Sequence, residues 1–326
     1  MNPAHAQPHR LDIWLEEQPK ALRHVVMTIA GACERIGEAA GQGALAGLHG
    51  LAESDNSQGE AQKKLDVFAD EVLSQALAGC PHVAGWASEE HPDPTRSEDF
   101  GVHGDYLVVF DPLDGSSNIE ANISVGTIFS ILPHPFRGTP VGDAGFMQPA
   151  KQQVAAGYVL YGPSTVMVLT CRNGVQAFTL DRRSGHWLLT RSAIQVPATT
   201  REFAINTSNQ RFWDKPVQRY VAECVAGETG PRRQDFNMRW VASMVAEVHR
   251  ILTRGGVFMY PRDNKEPRKP GRLRLMYEAA PMALLMQQAG ARAVTGTQEL
   301  LEIVPDTLHQ RVPVILGSAD EIARIV

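Results

Sequence analysis

The stretch Tyr106-Leu107-Val108-Val109-Phe110-Asp111-Pro112-Leu113-Asp114-Gly115-Ser116-Ser117-Asn118 joins an apolar run to two carboxylates and a glycine-serine turn. The apolar run predicts a buried strand, and Pro112 restricts the backbone between Asp111 and Asp114. Two carboxylates held three residues apart at a strand end can bind divalent cations. Gly115 frees the backbone, so that the amides of residues 115–117 can turn toward an anion. The pattern predicts a metal and phosphate site, and its alternative is an ordinary surface turn.

Further carboxylates stand outside this stretch. Glu89 and Glu90 follow the short run Trp86-Ala87-Ser88, and adjacent carboxylates repel each other. This pair is therefore either solvated or brought together by metal ions. Glu278 ends the segment Arg272-Leu273-Arg274-Leu275-Met276-Tyr277-Glu278, whose alternating apolar and basic residues predict a strand. Its alternative is a glutamate in the first turn of a helix.

Composition limits the class of protein. The chain has 326 residues, 43% hydrophobic content and a net charge of −5. This length allows one large domain or two closely packed ones with a sizeable core. The negative charge argues against a nucleic-acid or membrane-surface binder. The start of the chain is polar and no apolar run is long enough to span a membrane, so we expect no signal peptide and no membrane span. The cysteines are scattered, which predicts reduced thiols and a cytoplasmic protein.

Hydrophobic periodicity predicts an α/β protein. Helical spacing covers residues 22–36, 65–77 and 241–252. Strands are expected at residues 106–110, 127–132, 154–160, 166–170, 175–180, 256–260 and 312–316. An Asn173-Gly174 pair predicts a hairpin between two of them. The polar stretch from Arg191 to Thr200 predicts a boundary between an N-terminal metal and phosphate half, residues 1–195, and a C-terminal sugar-phosphate half, residues 196–326.

Taken in order, these motifs resemble the class I fructose-1,6-bisphosphatases from about Leu22 to Val326. The matching blocks are GEAQKKLD (59–66), SEE (88–90), DPLDGSSN (111–118), SVGTIF (124–129), AAGY (155–158), Arg239 with SMVA (243–246), GGVFMYP (255–261), LRLMYE (273–278) and VPVILGS (312–318). The resemblance implies a layered α-β-α-β-α sugar-phosphatase fold in two intimately packed halves. It also implies a homotetramer that acts in carbohydrate metabolism of the gluconeogenic or Calvin-cycle type.

The implied activity is the Mg²⁺-dependent hydrolysis of the 1-phosphate of fructose 1,6-bisphosphate, with two or three Mg²⁺ ions per site. By the same resemblance, Asp66 and Glu90 position and deprotonate the attacking water. The metal ligands that the resemblance implies are Glu60, Glu89, Asp111, the main-chain carbonyl of Leu113, Asp114 and Glu278. Glu60 stands where the family usually has an aspartate, and the segment 51–64 that carries it is expected to close over the site.

The resemblance divides the substrate contacts between the two phosphates. The residues implied to hold the cleaved phosphate are Asp114, Gly115, Ser116 and Ser117. Those implied to hold the sugar and the retained phosphate are Tyr260, Arg272, Arg239 from a neighbouring subunit, and either Asn206 or Asn209, of which we prefer Asn206. Two positions depart from the family: Arg272 replaces the common lysine, and Trp240 replaces a tyrosine whose hydroxyl faces the retained phosphate.

Other readings stay open at this point. The same chemistry could serve sedoheptulose 1,7-bisphosphate, alone or together with the fructose substrate, or more distantly an inositol phosphate. A non-catalytic sugar-phosphate sensor is disfavoured because each metal carboxylate is present or conservatively replaced. The basic run at Arg262, Lys265, Arg268, Lys269, Arg272 and Arg274 could suggest nucleic acid, but in an acidic chain we interpret most of it as a solvated loop around a phosphate pocket.

Regulation is expected to differ from that of many relatives, which AMP inhibits at a separate anion site. Tyr106 of that site is retained, but Asp105 replaces its lysine and Pro133 its arginine. A carboxylate in place of a cation repels phosphate. The sequence therefore predicts insensitivity to AMP.

Overall fold

The computed structural model describes residues 9–55, 61–267 and 269–326. Its helices are α1 (Leu11–Trp14), α2 (Lys20–Gln42), α3 (Lys64–Ala78), α4 (Asp143–Phe146), α5 (Lys215–Val225), α6 (Met244–Arg254), α7 (Ala280–Gln288) and α8 (Ala319–Ile325). Its strands are β1 (Leu51–Asp55), β2 (Ala61–Lys63), β3 (Val83–Ser88), β4 (Thr95–Arg96), β5 (Tyr106–Asp114), β6 (Val125–Pro133), β7 (Ala155–Tyr161), β8 (Thr165–Thr170), β9 (Gln176–Asp181), β10 (His186–Arg191), β11 (Glu202–Ala204), β12 (Asn237–Met238), β13 (Val257–Tyr260), β14 (Leu273–Arg274), β15 (Arg292–Val294), β16 (Arg311–Val312) and β17 (Val314–Gly317).

Eight strands form the larger sheet, in the order β10-β9-β8-β7-β6-β5-β3-β4. Among the described strands of this sheet, only β3 and β5 pair in parallel, so the C-terminal ends of these two strands lie side by side. The strands from β5 to β9 are almost wholly buried because helices cover both faces of the sheet. The hairpin predicted at Asn173-Gly174 is confirmed: β8 and β9 pair antiparallel around it, and Gly174 has φ +90°.

Helices α2 and α3 cover one face of this sheet. Their apolar stripes, from Leu22 to Ile36 and from Leu65 to Leu77, join one core cluster with alternate residues of the sheet strands. These are the periodic positions that the sequence predicted as helical core faces.

Helices α6 and α7 lie between the larger sheet and a second one. The second sheet has the strand order β12-β11-β13-β17-β15. Residues of both sheets, for example Tyr158 and Phe258, share one core cluster with α6 and α7. Helix α7 reads APMALLMQQ and is apolar on nearly all sides, as expected for a helix with a sheet on each face.

Helices α5 and α8 complete the molecule on the outer face of the second sheet, where they pack against Val257, Met259 and Ile315. The layers therefore run helix, sheet, helix, sheet, helix, and the predicted α-β-α-β-α fold is confirmed. The two halves share the α6 and α7 layer, so they are packed intimately. Among the described residues, no helix combines the length and the hydropathy that a membrane span requires.

Two sequence predictions of strands are corrected. The expected strand at residues 312–316 is interrupted at Pro313, which has no N–H group for a sheet ladder, so that Val312 pairs with β14 and Val314 begins β17 in another sheet. The strand expected to end at Glu278 covers only Leu273–Arg274. A π-helical turn, Leu275–Ala279, follows it and leads into α7, so Glu278 lies at a helix start.

Candidate metal and phosphate site

The ends of β3 and β5 place carboxylates from distant parts of the chain together. Ser88 pairs with Phe110 in the parallel ladder, and the Glu89 amide donates a hydrogen bond of 3.1 Å to the carbonyl of Phe110. Glu89 therefore lies beside Asp111. Glu278 reaches the same point from the π-helical turn, where its Oε2 accepts the Arg274 amide at 2.6 Å. One carboxylate oxygen from each of Glu89, Asp111 and Glu278 lies within 4.8 Å of the other two.

The electrostatics of this three-carboxylate cluster are unfavourable for the protein alone. Burial, together with the repulsion between Glu89, Asp111, Asp114 and Glu278, raises the pKa of Asp111 and Glu278 well above the ordinary values. Burial raises the pKa of Glu89 to about 7, and the adjacent guanidinium of Arg274 opposes that rise. A set of buried oxygen donors that repel one another fits a hard divalent cation such as Mg²⁺.

Asp114 connects the predicted phosphate turn to the second half of the chain. Its Oδ2 accepts hydrogen bonds of 2.9 Å from Ser243 Oγ and from the amide of Val245, at the N-terminus of α6. Asp114 is not a member of the three-carboxylate cluster, although its charge acts on Glu89 and Glu278. Burial raises the pKa of Asp114 to about 6, against the lowering effect of these hydrogen bonds.

Gly115, which the sequence predicted to free the backbone, has the left-handed conformation, with φ +81°. The structure adds a second reason for glycine: a Cβ here would lie 2.7 Å from Ser243 Cβ. Ser116 and Ser117 begin the 3₁₀ turn Ser116–Asn118 that follows, and Ser117 is exposed. The turn thus lies against α6, between the two halves.

Asp66 lies in the first turn of α3, where its Oδ2 accepts the Lys63 amide at 2.8 Å. Burial raises the pKa of Asp66 to about 7, and the charges of Glu90 and Glu89 add to this rise. Asp66 and Glu90 are therefore close enough to interact, and their implied role in activating water stays a prediction. A carboxyl group that titrates near neutral pH can exchange a proton with water.

A separate cavity of about 250 Å³ lies beside Tyr260 and Arg272. Arg272 Nη2 is 3.4 Å from Asp263 Oδ2 and 3.9 Å from Glu266 Oε1. Lys269 and Arg311 also line this cavity, so it contains three cations and two carboxylates. Such a pocket can bind an anion that competes with the carboxylates for Arg272.

The remaining predicted substrate residues are divided between two places. Asn206 and Asn209 line a small cavity together with Trp240 and Tyr260, which leaves both asparagines as candidates. Arg239 is half exposed, and its Nε lies 3.6 Å from Glu202 Oε1. It lines none of the described cavities around Tyr260.

Two predicted ligands are not placed by geometry. Glu60 lies outside the described residues. Leu113 is buried, and its amide donates to Asp111 Oδ1 at 2.9 Å, but the metal role of its carbonyl stays a prediction.

Arg274 is buried against Glu89. The interpretation of its basic run as mostly a solvated loop therefore does not hold for this residue. The alternation Arg272-Leu273-Arg274 could not have shown this, because it places both arginines on the same face of a strand.

Comparison with known proteins agrees with this geometry. Residues 12–192 match the family model described as fructose-1-6-bisphosphatase, N-terminal domain, and residues 196–326 match the corresponding C-terminal domain. The class 1 fructose-1,6-bisphosphatase 1 of Methylibium petroleiphilum is 64% identical over 323 residues, which cover 98% of this chain and 92% of that protein. Two structures of the Leishmania major fructose-1,6-bisphosphatase also match, each over 98% of both chains: its holo form with TM-score 0.91 at 34% identity, and its apo form with TM-score 0.86 at 32% identity.

Proposed function

This chain belongs to the fructose-1,6-bisphosphatase family, and on that premise we propose that it removes the 1-phosphate of fructose 1,6-bisphosphate with the help of Mg²⁺ held at its carboxylate cluster. The observation that supports the proposal is the meeting of Glu89, Asp111 and Glu278 within 4.8 Å, with Asp111 and Glu278 buried and Glu89 partly buried. Such a cluster costs stability unless cations compensate it, and it adjoins the turn at Gly115 that can hold a phosphate.

Residue roles follow from position. Glu89, Asp111 and Glu278 would hold the metal, with the Leu113 carbonyl, Asp114 and Glu60 as further ligands by resemblance. When bound, Mg²⁺ would offset the repulsion of the carboxylates and stabilise negative charge on the reacting phosphate.

Side chains and backbone amides of the protein would activate the water and bind the cleaved phosphate. Asp66 and Glu90 would orient the attacking water and accept its proton, which the near-neutral pKa of Asp66 favours. Amides of residues 115–117 would hold the cleaved phosphate, because Gly115 turns the backbone there.

Binding of the other end of the substrate is assigned to Tyr260, Arg272 and one of the asparagines Asn206 and Asn209. Arg272 would exchange Asp263 and Glu266 for the retained phosphate. The indole of Trp240 stacks on Phe258, with ring centroids 6.0 Å apart and planes at 7°, so here it would supply an apolar wall to the sugar pocket.

Phosphate release from three substrates tests the proposal. The substrates are fructose 1,6-bisphosphate, sedoheptulose 1,7-bisphosphate and an inositol monophosphate, each assayed with Mg²⁺ and with EDTA. We expect Mg²⁺-dependent release from the fructose substrate with the highest kcat/KM. Preference for the sedoheptulose substrate would change the substrate assignment, and no release from any of them would support the sensor alternative.

We further propose a cytoplasmic homotetramer, with a division of the chain near residue 195 and Arg239 reaching a neighbouring site. The exposed position of Arg239, away from the cavity beside Tyr260, is what supports the last point. Mixing Arg239→Ala with Asp114→Ala protein, each nearly inactive alone, should restore activity in hybrid oligomers. If subunit exchange is demonstrated and no activity returns, each site is complete within one chain.

A further inference from the structure

Asp70 contacts both ends of the turn that carries Glu89 and Glu90. On one side, Asp70 Oδ1 accepts a hydrogen bond of 2.5 Å from Ser88 Oγ. On the other, Asp70 Oδ2 lies 2.7 Å from His91 Nε2. Ser88 Oγ in turn accepts the amide of Glu90 at 3.2 Å. The carboxylate therefore brackets the turn from Ser88 to His91.

Burying a carboxylate costs free energy of desolvation, so the position of Asp70 needs an explanation in the fold or the site. Asp70 is 6% exposed and Ser88 is 2% exposed, so their hydrogen bond is shielded from water. Asp70 packs in α3 between the core residues Ala69 and Leu73, where an apolar side chain would avoid the desolvation of a carboxylate. Shielded hydrogen bonds to a carboxylate are strong and directional, which suits them to fixing a backbone turn.

The position of Asp70 along α3 relates its contacts with Ser88 and His91 to Asp66. Asp66 stands four residues earlier in the same helix, so both side chains lie on one helix face. Helix α3 thus carries one of the two carboxylates assigned to water activation, and through Asp70 it holds the turn that carries the other. Glu89 and Glu90 repel each other, and each raises the pKa of Asp66, so the turn needs a fixed attachment to keep them close.

We propose that Asp70 is a positioning residue, which fixes Glu90 relative to Asp66 by binding the turn from Ser88 to His91 to helix α3. Asp70 contacts no reacting atom in this role, and it acts through Ser88 and His91. The inference rests on the proposed function, since it matters only if Asp66 and Glu90 act on the attacking water. A displacement of such groups by about 1 Å can cost about a hundredfold in rate.

The test separates kcat from KM in variants of this network. Asp70→Ala should lower kcat by about ten- to a hundredfold and leave KM within about threefold, because the substrate phosphates contact other residues. Asp70→Asn retains an acceptor for Ser88 and should keep part of that activity. His91→Ala should lower kcat less, and adding it to Asp70→Ala should cause no further loss, because the two changes break the same attachment.

A matched control is Glu321→Gln, which weakens the buried pair between Arg232 and Glu321 on the outer face of the second sheet. It should lower the melting temperature and leave kcat unchanged. Two results overturn the inference. One is a wild-type kcat in folded Asp70→Ala. The other is a control variant whose kcat falls with its melting temperature in the same proportion as in Asp70→Ala. If Asp70→Ala does not fold, unchanged kcat in Asp70→Asn overturns it. A wild-type protein that is inactive on every bisphosphate overturns the proposed function as well, whereas an active wild type with an active Asp70→Ala overturns only this inference.

Discussion

The acidic end of the proposed site, at Glu89, Asp111 and Glu278, is built from strand ends and a helix start, whereas the basic end around Arg272 is built from a loop. At the acidic end, hydrogen bonds to the backbone fix buried carboxylates that repel one another. At the basic end, Arg272 is partly exposed and already lies near Asp263 and Glu266. Backbone hydrogen bonds therefore hold the acidic end in place, and Arg274 offsets only part of its negative charge until cations bind. At the basic end, Asp263 and Glu266 already compensate the charge of Arg272, so a bound phosphate must displace them.

Asp114 should show the largest effect, because it combines a charge at the acidic end with the contact to α6. We expect Asp114→Ala to lower kcat by at least about a hundredfold, as losses of preorganised charge do. Asp114→Asn is the matched control, since its side-chain oxygen still accepts from Ser243 and Val245. Steady-state phosphate release measures both. Near-wild-type kcat in Asp114→Asn would show that the carboxylate charge is not needed.

Arg272 should instead affect substrate binding. A charge-assisted hydrogen bond to phosphate contributes about 1.5–3 kcal/mol, so Arg272→Ala should raise KM by about tenfold or more while kcat changes less. The retained phosphate is bound equally in the ground and transition states, which gives this pattern. Arg272→Lys, which keeps the charge, should recover most of the affinity. A fall in kcat at constant KM would place Arg272 at the cleaved phosphate.

Without metal, the repulsion between the carboxylates at the acidic end should make the stability of the protein depend on pH. Folding raises the pKa of Asp66 and Glu89 to about 7, so between about pH 4 and 7 the folded state binds more protons than the unfolded state. In EDTA, the melting temperature should therefore fall as pH rises through this window, by several degrees, and Mg²⁺ at pH 8 should raise it again. Asp111→Asn should weaken the dependence. A melting temperature in EDTA that is constant or rises over this range contradicts the proposed repulsion.

Asp263 offers a smaller test of the basic end. Its Oδ1 accepts the Lys265 amide at 3.0 Å, and an asparagine oxygen could do the same, so Asp263→Asn removes the charge and keeps the turn. With less competition for Arg272, KM should fall by a few-fold at unchanged kcat. Glu266→Gln should act in the same direction but less, because Glu266 is farther from Arg272. A higher KM in Asp263→Asn would mean that Asp263 orients Arg272 for phosphate.

The least change is expected with AMP. By the family resemblance, Asp105 replaces the lysine that many relatives have, and it lies 2.7 Å from His82 and 2.8 Å from Arg137. The guanidinium of Arg137 thus compensates Asp105, so little attraction for an added phosphate remains. Millimolar AMP should leave the rate of phosphate release unchanged. Inhibition by micromolar AMP would reveal another anion site.

Local sequence sufficed for helices α2, α3 and α6, for strands β5 to β9 and β13, and for the glycine of the turn at residues 115–118. The stripes of α2 and α3 follow from 3.6-residue periodicity, and the freedom required at Gly115 follows from the residues around it. Glu278 shows the limit of such patterns. Alternation over a few residues predicted a strand, but the buried apolar run continues into α7. The segment from Leu275 onward is therefore helical.

The sequence by itself supplied the candidate residues for the chemistry, through short motifs and their resemblance to a known family. Only the tertiary structure decided how their charges are compensated. Arg274 meets Glu89 across 185 residues of sequence, and Asp114 meets Ser243 across 129. Electrostatic interaction depends on distance and burial, which no local pattern records. For the same reason, no motif in the sequence marks Asp70, and only the fold places Ser88 and His91 against it.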